Sequence, residues 1–172
     1  MKVDKEPTLP RSVHGPFDRY NDADPVVAPK PYAAISFDGL EVGQELPPMT
    51  KTLTRGNLVN YAGVSGDGNP IHWDESIAKL AGLPDVIAHG MLTMGLGAGF
   101  VSAWSGDPGA VTRYAVRLSQ VAVVSAAEGG DIEFSGKIKS LDPETRSGVV
   151  IIVAKSAGRK IFGLATMNVR FA

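Results

Sequence analysis

The chain of 172 residues has no cysteine and almost no net charge. Without cysteine there can be no disulfide, no thiolate nucleophile and no cysteine-based zinc site. A formal charge of −1 leaves no electrostatic footprint for nucleic acid or an anionic membrane. No basic start followed by an apolar run opens the sequence, so no secretory leader is expected and a cytoplasmic location is. What is present, 44% hydrophobic and 20% charged residues, is the composition of a globular domain with a sizeable core.

One long apolar run needs an assignment. Ile87 to Trp104 is 18 residues without Asp, Glu, Lys or Arg, at the lower edge of a membrane span. It contains His89 and four glycines, and no second run of this kind exists. A buried core helix is expected, not a membrane helix.

Residues 1–34 differ from the rest. Six of the 12 prolines lie there, at Pro7, Pro10, Pro16, Pro25, Pro29 and Pro31. Such a segment buries little, and an extended or partly disordered arm is expected, a tail rather than an arm that wraps a partner. Residues 35–172 read as one domain. Phe37 to Leu53 reads as extended, interrupted by Gly43 and Pro47-Pro48. Thr54 is placed to cap a helix with Leu58, Tyr61 and Ala62 on one face, ended by Gly63 and Gly66. Asp74 can cap a second, short helix through Ala81, closed by Gly82. A loop from Leu83 to Ala88 then leads into the apolar helix.

From Val111 the period changes to two. Tyr114, Val116 and Leu118 make one phase, and a slip to Val121 and Val123 predicts a β-bulge at Ser119-Gln120. Ile132, Phe134 and Ile138 make a strand, as do Val149, Ile151 and Val153. Ser156-Ala157-Gly158 reads as a hairpin turn before a last strand from Phe162 to Phe171. The expected architecture is α+β: helices, then four antiparallel strands in a meander, the curved sheet wrapped around a helix apolar on all sides and covered on all sides.

Ser65-Gly-Asp-Gly-Asn-Pro-Ile-His72 carries the chemistry. Pro70 and the two glycines exclude a regular helix or strand, and a tight turn can aim Asp67 and His72 at one point. An acid beside an imidazole suits proton transfer near neutral pH. In Ile87-Ala-His-Gly-Met91, Gly90 stands at the start of the apolar helix, where free N–H groups favour an oxyanion. Gly63-Val-Ser65-Gly-Asp67 fails as a nucleophile elbow at its fifth position. Gly95-Leu-Gly97-Ala-Gly99 lacks the context of a dinucleotide loop, and the Gly95/Gly99 pair is assigned to close contact with the sheet. Asp67, His72, Asp85 and His89 have no standard metal-ligand spacing, so neither a metal nor another cofactor is expected. Trp73 and Trp104 are expected to pack.

Tyr61-Ala-Gly-Val-Ser-Gly-Asp-Gly-Asn-Pro-Ile-His-Trp-Asp-Glu75, followed by Ile87-Ala-His-Gly-Met-Leu-Thr-Met-Gly95, resembles the hydratase motif of the MaoC-like family. Leu58 to Asp67, Asp107 to Thr112 and Lys160 to Gly163 narrow the likeness to catalytic B subunits of mycobacterial-type (3R)-hydroxyacyl-ACP dehydratases. The resemblance implies a hotdog fold, a hydro-lyase and no cofactor. It implies that Asp67 and His72 form the catalytic dyad, that Asn69 supports its geometry, and that the Gly90 N–H holds the thioester oxygen. It also implies an acyl-ACP or acyl-CoA substrate in fatty or mycolic acid elongation, and pairing with a second hotdog subunit. The alternatives are a homodimeric (R)-specific enoyl-CoA hydratase and a non-catalytic acyl-binding scaffold. Arg113, Arg117, Lys137 and Lys139 are available to a carrier phosphate, although a solvated strand face accounts for them equally.

Overall fold

The structure, a computed structural model, describes residues 34–172. All of the Pro-rich segment except Ala34 lies outside the described residues. β1 (Glu45–Leu53) comes first, and its register shifts between Leu46 and Met49, where Pro47 and Pro48 sit. Prolines cannot donate to a ladder, and among the described residues β1 is an edge strand that pairs with β3 alone.

Thr54 then caps α1 (Arg55–Ser65) in a reciprocal box with Asn57, which accepts from the Thr54 amide at 2.8 Å. Gly63 sits inside α1, not at its end. The helix stops at Gly66, whose φ of 75° is the left-handed conformation that glycine adopts without strain. Asp74 caps α2 (Glu75–Leu80) by accepting the Ser76 and Ile77 amides. The apolar run forms α3 (Gly90–Ser105). Among the described residues no helix is long and apolar enough to cross a membrane.

The remaining strands are β2 (Val111–Leu118), β3 (Gly130–Asp142), β4 (Ser147–Ser156), β5 (Arg159–Lys160) and β6 (Phe162–Arg170). The sheet is antiparallel in the order β1-β3-β4-β6-β2, with the short β5 on β4. This is not the meander that the sequence suggested. The helices carry the chain from one edge of the sheet to the other, so β2 pairs with the last strand. The register against β6 shifts between Arg117 and Leu118, just before the bulge expected at Ser119-Gln120. β2 ends at Leu118, and the chain leaves the sheet to bond the segment before α3, through Ala88 N to Ala122 O and Val124 N to Val86 O, both 2.8 Å. The slip in apolar phase marks this change of partner: Ala122 and Val124 are the buried residues and Val121 is exposed.

The concave face of the sheet receives α3. Phe134, Ile138, Val150, Ile152 and Met167 pack beneath it, and Phe100 stacks on Phe134 at 5.9 Å. Gly97 allows the close approach, since a Cβ there would lie 2.7 Å from Tyr114 Oη and 3.2 Å from Ile152 Cδ1. Gly95 and Gly99 do not serve this purpose. They face outward with Met91 and Ala103, and nothing lies within 4 Å of a Cβ built on either. Among the described residues α3 is therefore covered on one side, not on all sides. Trp104 packs edge-on against Phe171, as expected of it.

Candidate active site

The loop between α1 and α2 is stabilised by its own short hydrogen bonds. Ser65 Oγ donates to Tyr61 O at 2.7 Å and accepts the Asp67 amide. Asp67 Oδ1 accepts the Asn69 amide at 3.3 Å, and Asn69 Oδ1 accepts the Ile71 amide, capping the single 3-10 turn Pro70–His72. The indole of Trp73 donates to Gly68 O. Asn69 thus shapes the turn through local bonds, as residues of its type do. It lies apart from the cavity beside His72.

The turn points His72 inward, where it is 7% exposed. Its Nδ1 lies 2.8 Å from the carbonyl oxygen of Ile87. A carbonyl only accepts, so Nδ1 carries the proton and Nε2 of the neutral ring is left with its lone pair. Nε2 is 3.9 Å from Asp67 Oδ2. That is too long for a direct hydrogen bond. A single water about 2.8 Å from each atom would subtend roughly 90° between them. The Asp67 side chain is half exposed.

His72 opens onto a cavity of about 390 Å³, lined also by Ile87, Ala88, Gly90, Thr93, Ile161 and the segment from Leu118 to Ala122. Its walls are mostly apolar. Gly90 is the first residue of α3, and its N–H has no intrahelical acceptor. A side chain there would run into Leu118 Cδ1. The structure therefore places His72 and Gly90 on the wall of one hollow, while Asp67, 3.9 Å from His72 Nε2, stands outside its lining.

Arg55 at the start of α1 ties that helix to α2 and to the segments before α3 and β3. It bonds Glu75 Oε2 at 2.9 Å, Asp85 Oδ1 at 2.5 Å and the Val124 carbonyl at 3.3 Å. Asp85, considered as a metal ligand from sequence, is committed to Arg55 and to the Val86 amide.

His89 is the residue that sequence reasoning undervalued. It is 1% exposed. Its ring stacks on His72 with centroids 3.8 Å apart and planes 23° apart, and the edge contact with Tyr61 is 4.9 Å. Nε2 lies 3.3 Å from Asp67 O, and Nδ1 is buried without a partner. Burial holds its pKa below that of an ordinary histidine. Its side chain makes no capping bond to α3. The signal was present in the sequence as an imidazole beside Gly90, but stacking across 17 positions left no periodic trace.

Ligand atoms of Asp67, His72 and His89 lie within 4.8 Å of one another. The set fits a metal poorly. An ion bound to imidazole lies near the ring plane at about 2 Å, and two nearly parallel planes 3.8 Å apart cannot both contain it. Of the basic residues considered for a carrier phosphate, Arg117 adjoins Leu118 on the rim, whereas Lys137 lines a different hollow with Glu45. Arg159, not singled out from sequence, donates to Gln120 Oε1 on the rim at 2.7 Å.

The sequence pattern described as "MaoC like domain" matches residues 40–151. A 3-hydroxyacyl-thioester dehydratase X of Mycobacterium tuberculosis is 39% identical over 87 residues, 49% of this chain and 30% of that protein. A 3-hydroxybutyryl-CoA dehydratase of Methylorubrum extorquens is 33% identical over 115 residues, 65% of this chain and 69% of that protein. A solved structure described as a MaoC-like dehydratase is 75% identical, with a TM-score of 0.81 over 83% of this chain and 43% of its own. The chain thus spans less than half the length of the mycobacterial relative and of the solved structure.

Proposed function

The chain belongs to the MaoC-like domain family, and from that membership we propose that it is a hydro-lyase that eliminates water from (3R)-hydroxyacyl thioesters to give trans-2-enoyl thioesters, reversibly. The observation that carries this reading is the 3.9 Å gap between His72 Nε2 and Asp67 Oδ2, beside an apolar hollow with Gly90 on its wall.

The chemistry follows from which atoms are free. The Gly90 N–H at the head of α3 holds the thioester oxygen, where negative charge develops when the C2–H bond breaks. His72 Nε2 takes the C2 proton, because Nδ1 is already donating to Ile87 O. Asp67 accepts a hydrogen bond from the 3-hydroxyl and orients it. The C3–O bond breaks, and the imidazolium returns its proton to the departing oxygen, which leaves as water. In the hydration direction, water oriented by Asp67 gives a proton to Nε2 as it attacks C3, and the same proton is delivered to C2. The cycle leaves both groups as they began.

The finer reading is that of a catalytic subunit acting on ACP-linked substrates in fatty or mycolic acid elongation. It is supported by the motif resemblance and by the 39% identity with the M. tuberculosis protein. The 3-hydroxybutyryl-CoA dehydratase, matched over a larger share of its length, supports a CoA-linked substrate, and a 37% identical (R)-specific enoyl-CoA hydratase of Rhodospirillum rubrum supports a second reading as a homodimeric enzyme of that kind at the same site. A non-catalytic scaffold would have no chemical use for Asp67 and His72 together.

A partner hotdog unit, a second copy or a different chain, fits the surfaces left open. Both β1 and β2 are edge strands, and the Met91–Gly95–Gly99–Ala103 face of α3 is uncovered, among the described residues. The test is turnover of (3R)-hydroxyacyl-CoA and -ACP substrates of increasing chain length, with the chain alone and co-expressed with candidate hotdog partners. Turnover of at least one series is expected. Inactivity of every combination contradicts the enzyme reading.

A further inference from the structure

His89 is nearly fully buried, yet the reaction above gives it no proton to carry. Three contacts fix it. A carbonyl cannot donate, so the 3.3 Å contact to Asp67 O requires the proton of His89 on Nε2. The opposite nitrogen, Nδ1, is then a buried lone pair without a partner. The ring lies flat against His72 at 3.8 Å and edge-on to Tyr61 at 4.9 Å. Protonating Nδ1 would create a buried N–H with nothing to accept it, beside a second imidazole. The groups facing the ring, Asp67, His72 and Tyr61, offer Nδ1 no acceptor. Neutrality of His89 is therefore built into the packing.

We propose that His89 is a positioning residue that holds both members of the dyad at once: its Nε2–H ties down the Asp67 backbone, while its neutral ring is the shelf that fixes the plane of His72. The inference deepens the proposed function and rests on it for its kinetic part. The loop is tied to the segment before α3 at Ile71 and His72, through Ile87, but the bonds at Asp67 itself are otherwise local and its side chain is half exposed. The bond from His89 is one that crosses from the head of α3 to the residue that must stay 3.9 Å from Nε2. His89 directly precedes Gly90 in the chain, so its side chain ties Asp67 and His72 to the head of α3. Small errors in such a constellation lower turnover without loosening the grip on an acyl chain bound elsewhere.

The two duties can be separated. His89→Phe keeps the stacked ring and removes the donor. His89→Asn keeps a donor and removes the stack. Each variant should lose at least about tenfold in kcat, with KM changed less than about threefold, while circular dichroism remains that of the wild type. Wild-type kcat in either folded variant overturns the proposal, as does a rise in KM alone. Long-range 1H–15N spectra of the unmodified protein test the geometry independently of activity. They should show His89 as the Nε2–H tautomer, neutral at pH 7.5. A protonated ring or an Nδ1–H tautomer overturns the proposal even if both variants fail to fold. If the wild type turns over no thioester, the proposed function fails, and the spectra still decide the placement of His89.

Discussion

His72 and Ile87, fifteen residues apart, share a 2.8 Å hydrogen bond that sets which nitrogen of the imidazole can act. The bond joins the turn before α2 to the segment before α3. It commits Nδ1 to a backbone carbonyl and turns Nε2 toward Asp67. The catalytic proposal depends on this division of labour between the two ring nitrogens.

A side chain at Gly90 is predicted to disturb substrate binding rather than folding. The colliding atom is the end of the Leu118 side chain, which is partly exposed and can move. Gly90→Ala should therefore fold, with a melting temperature near that of the wild type. The new methyl and the displaced Leu118 should narrow the cavity and raise KM for long acyl thioesters more than for crotonyl-CoA. Equal effects on both substrates would show that Leu118 does not bound the acyl path.

Two glycines of α3 should respond in opposite directions. At Gly97 an added methyl meets Tyr114, Ile152 and Phe162, all within 3.3 Å. Gly97→Ala should destabilise by about 1–3 kcal/mol, the usual cost of overpacking a core. At Gly95 there is open space, and alanine is the better helix former by up to about 1 kcal/mol. Gly95→Ala should raise the melting temperature of the isolated chain. Urea titrations of both variants check the pair. A stabilised Gly97→Ala would mean that the helix stands further from the sheet than described.

His89 should make stability depend on pH in a defined direction. Its folded-state pKa is depressed by burial, so in the window below about 6.5 the unfolded chain binds a proton that the folded chain refuses. Protonation then favours unfolding, and stability falls as pH drops through that window. The slope of melting temperature against pH between 7 and 5 should be shallower in His89→Phe than in the wild type. Identical slopes would show that His89 titrates freely when folded.

The sequence disclosed local features better than distant pairings. Thr54 and Asp74 each announced a helix start, because a cap and its helix are neighbours in the chain. The turn holding Asp67 and His72 was legible from Pro70 and the glycines on either side of Asp67. The position of β2 was not, since nothing in Val111–Leu118 says that its partner lies some fifty residues later in β6. β4 hid its orientation for another reason. Val149, Ile151 and Val153 marked the strand, but the buried set is Val150, Ile152 and Ala154. When both faces of a strand are apolar, period two carries no phase. His89 was seen beside Gly90 but not beneath His72, because a face-to-face contact between two loops has no spacing rule.

The most direct measurement is steady-state dehydration of a (3R)-hydroxyacyl thioester by the wild type, Asp67→Asn and His72→Gln, each verified as folded. Both substitutions keep size and polarity while removing the group that orients the hydroxyl or carries the proton. Each should lower kcat by at least about 10²-fold, at the low end of what general acid–base groups contribute. A wild-type rate from either folded variant would contradict the account.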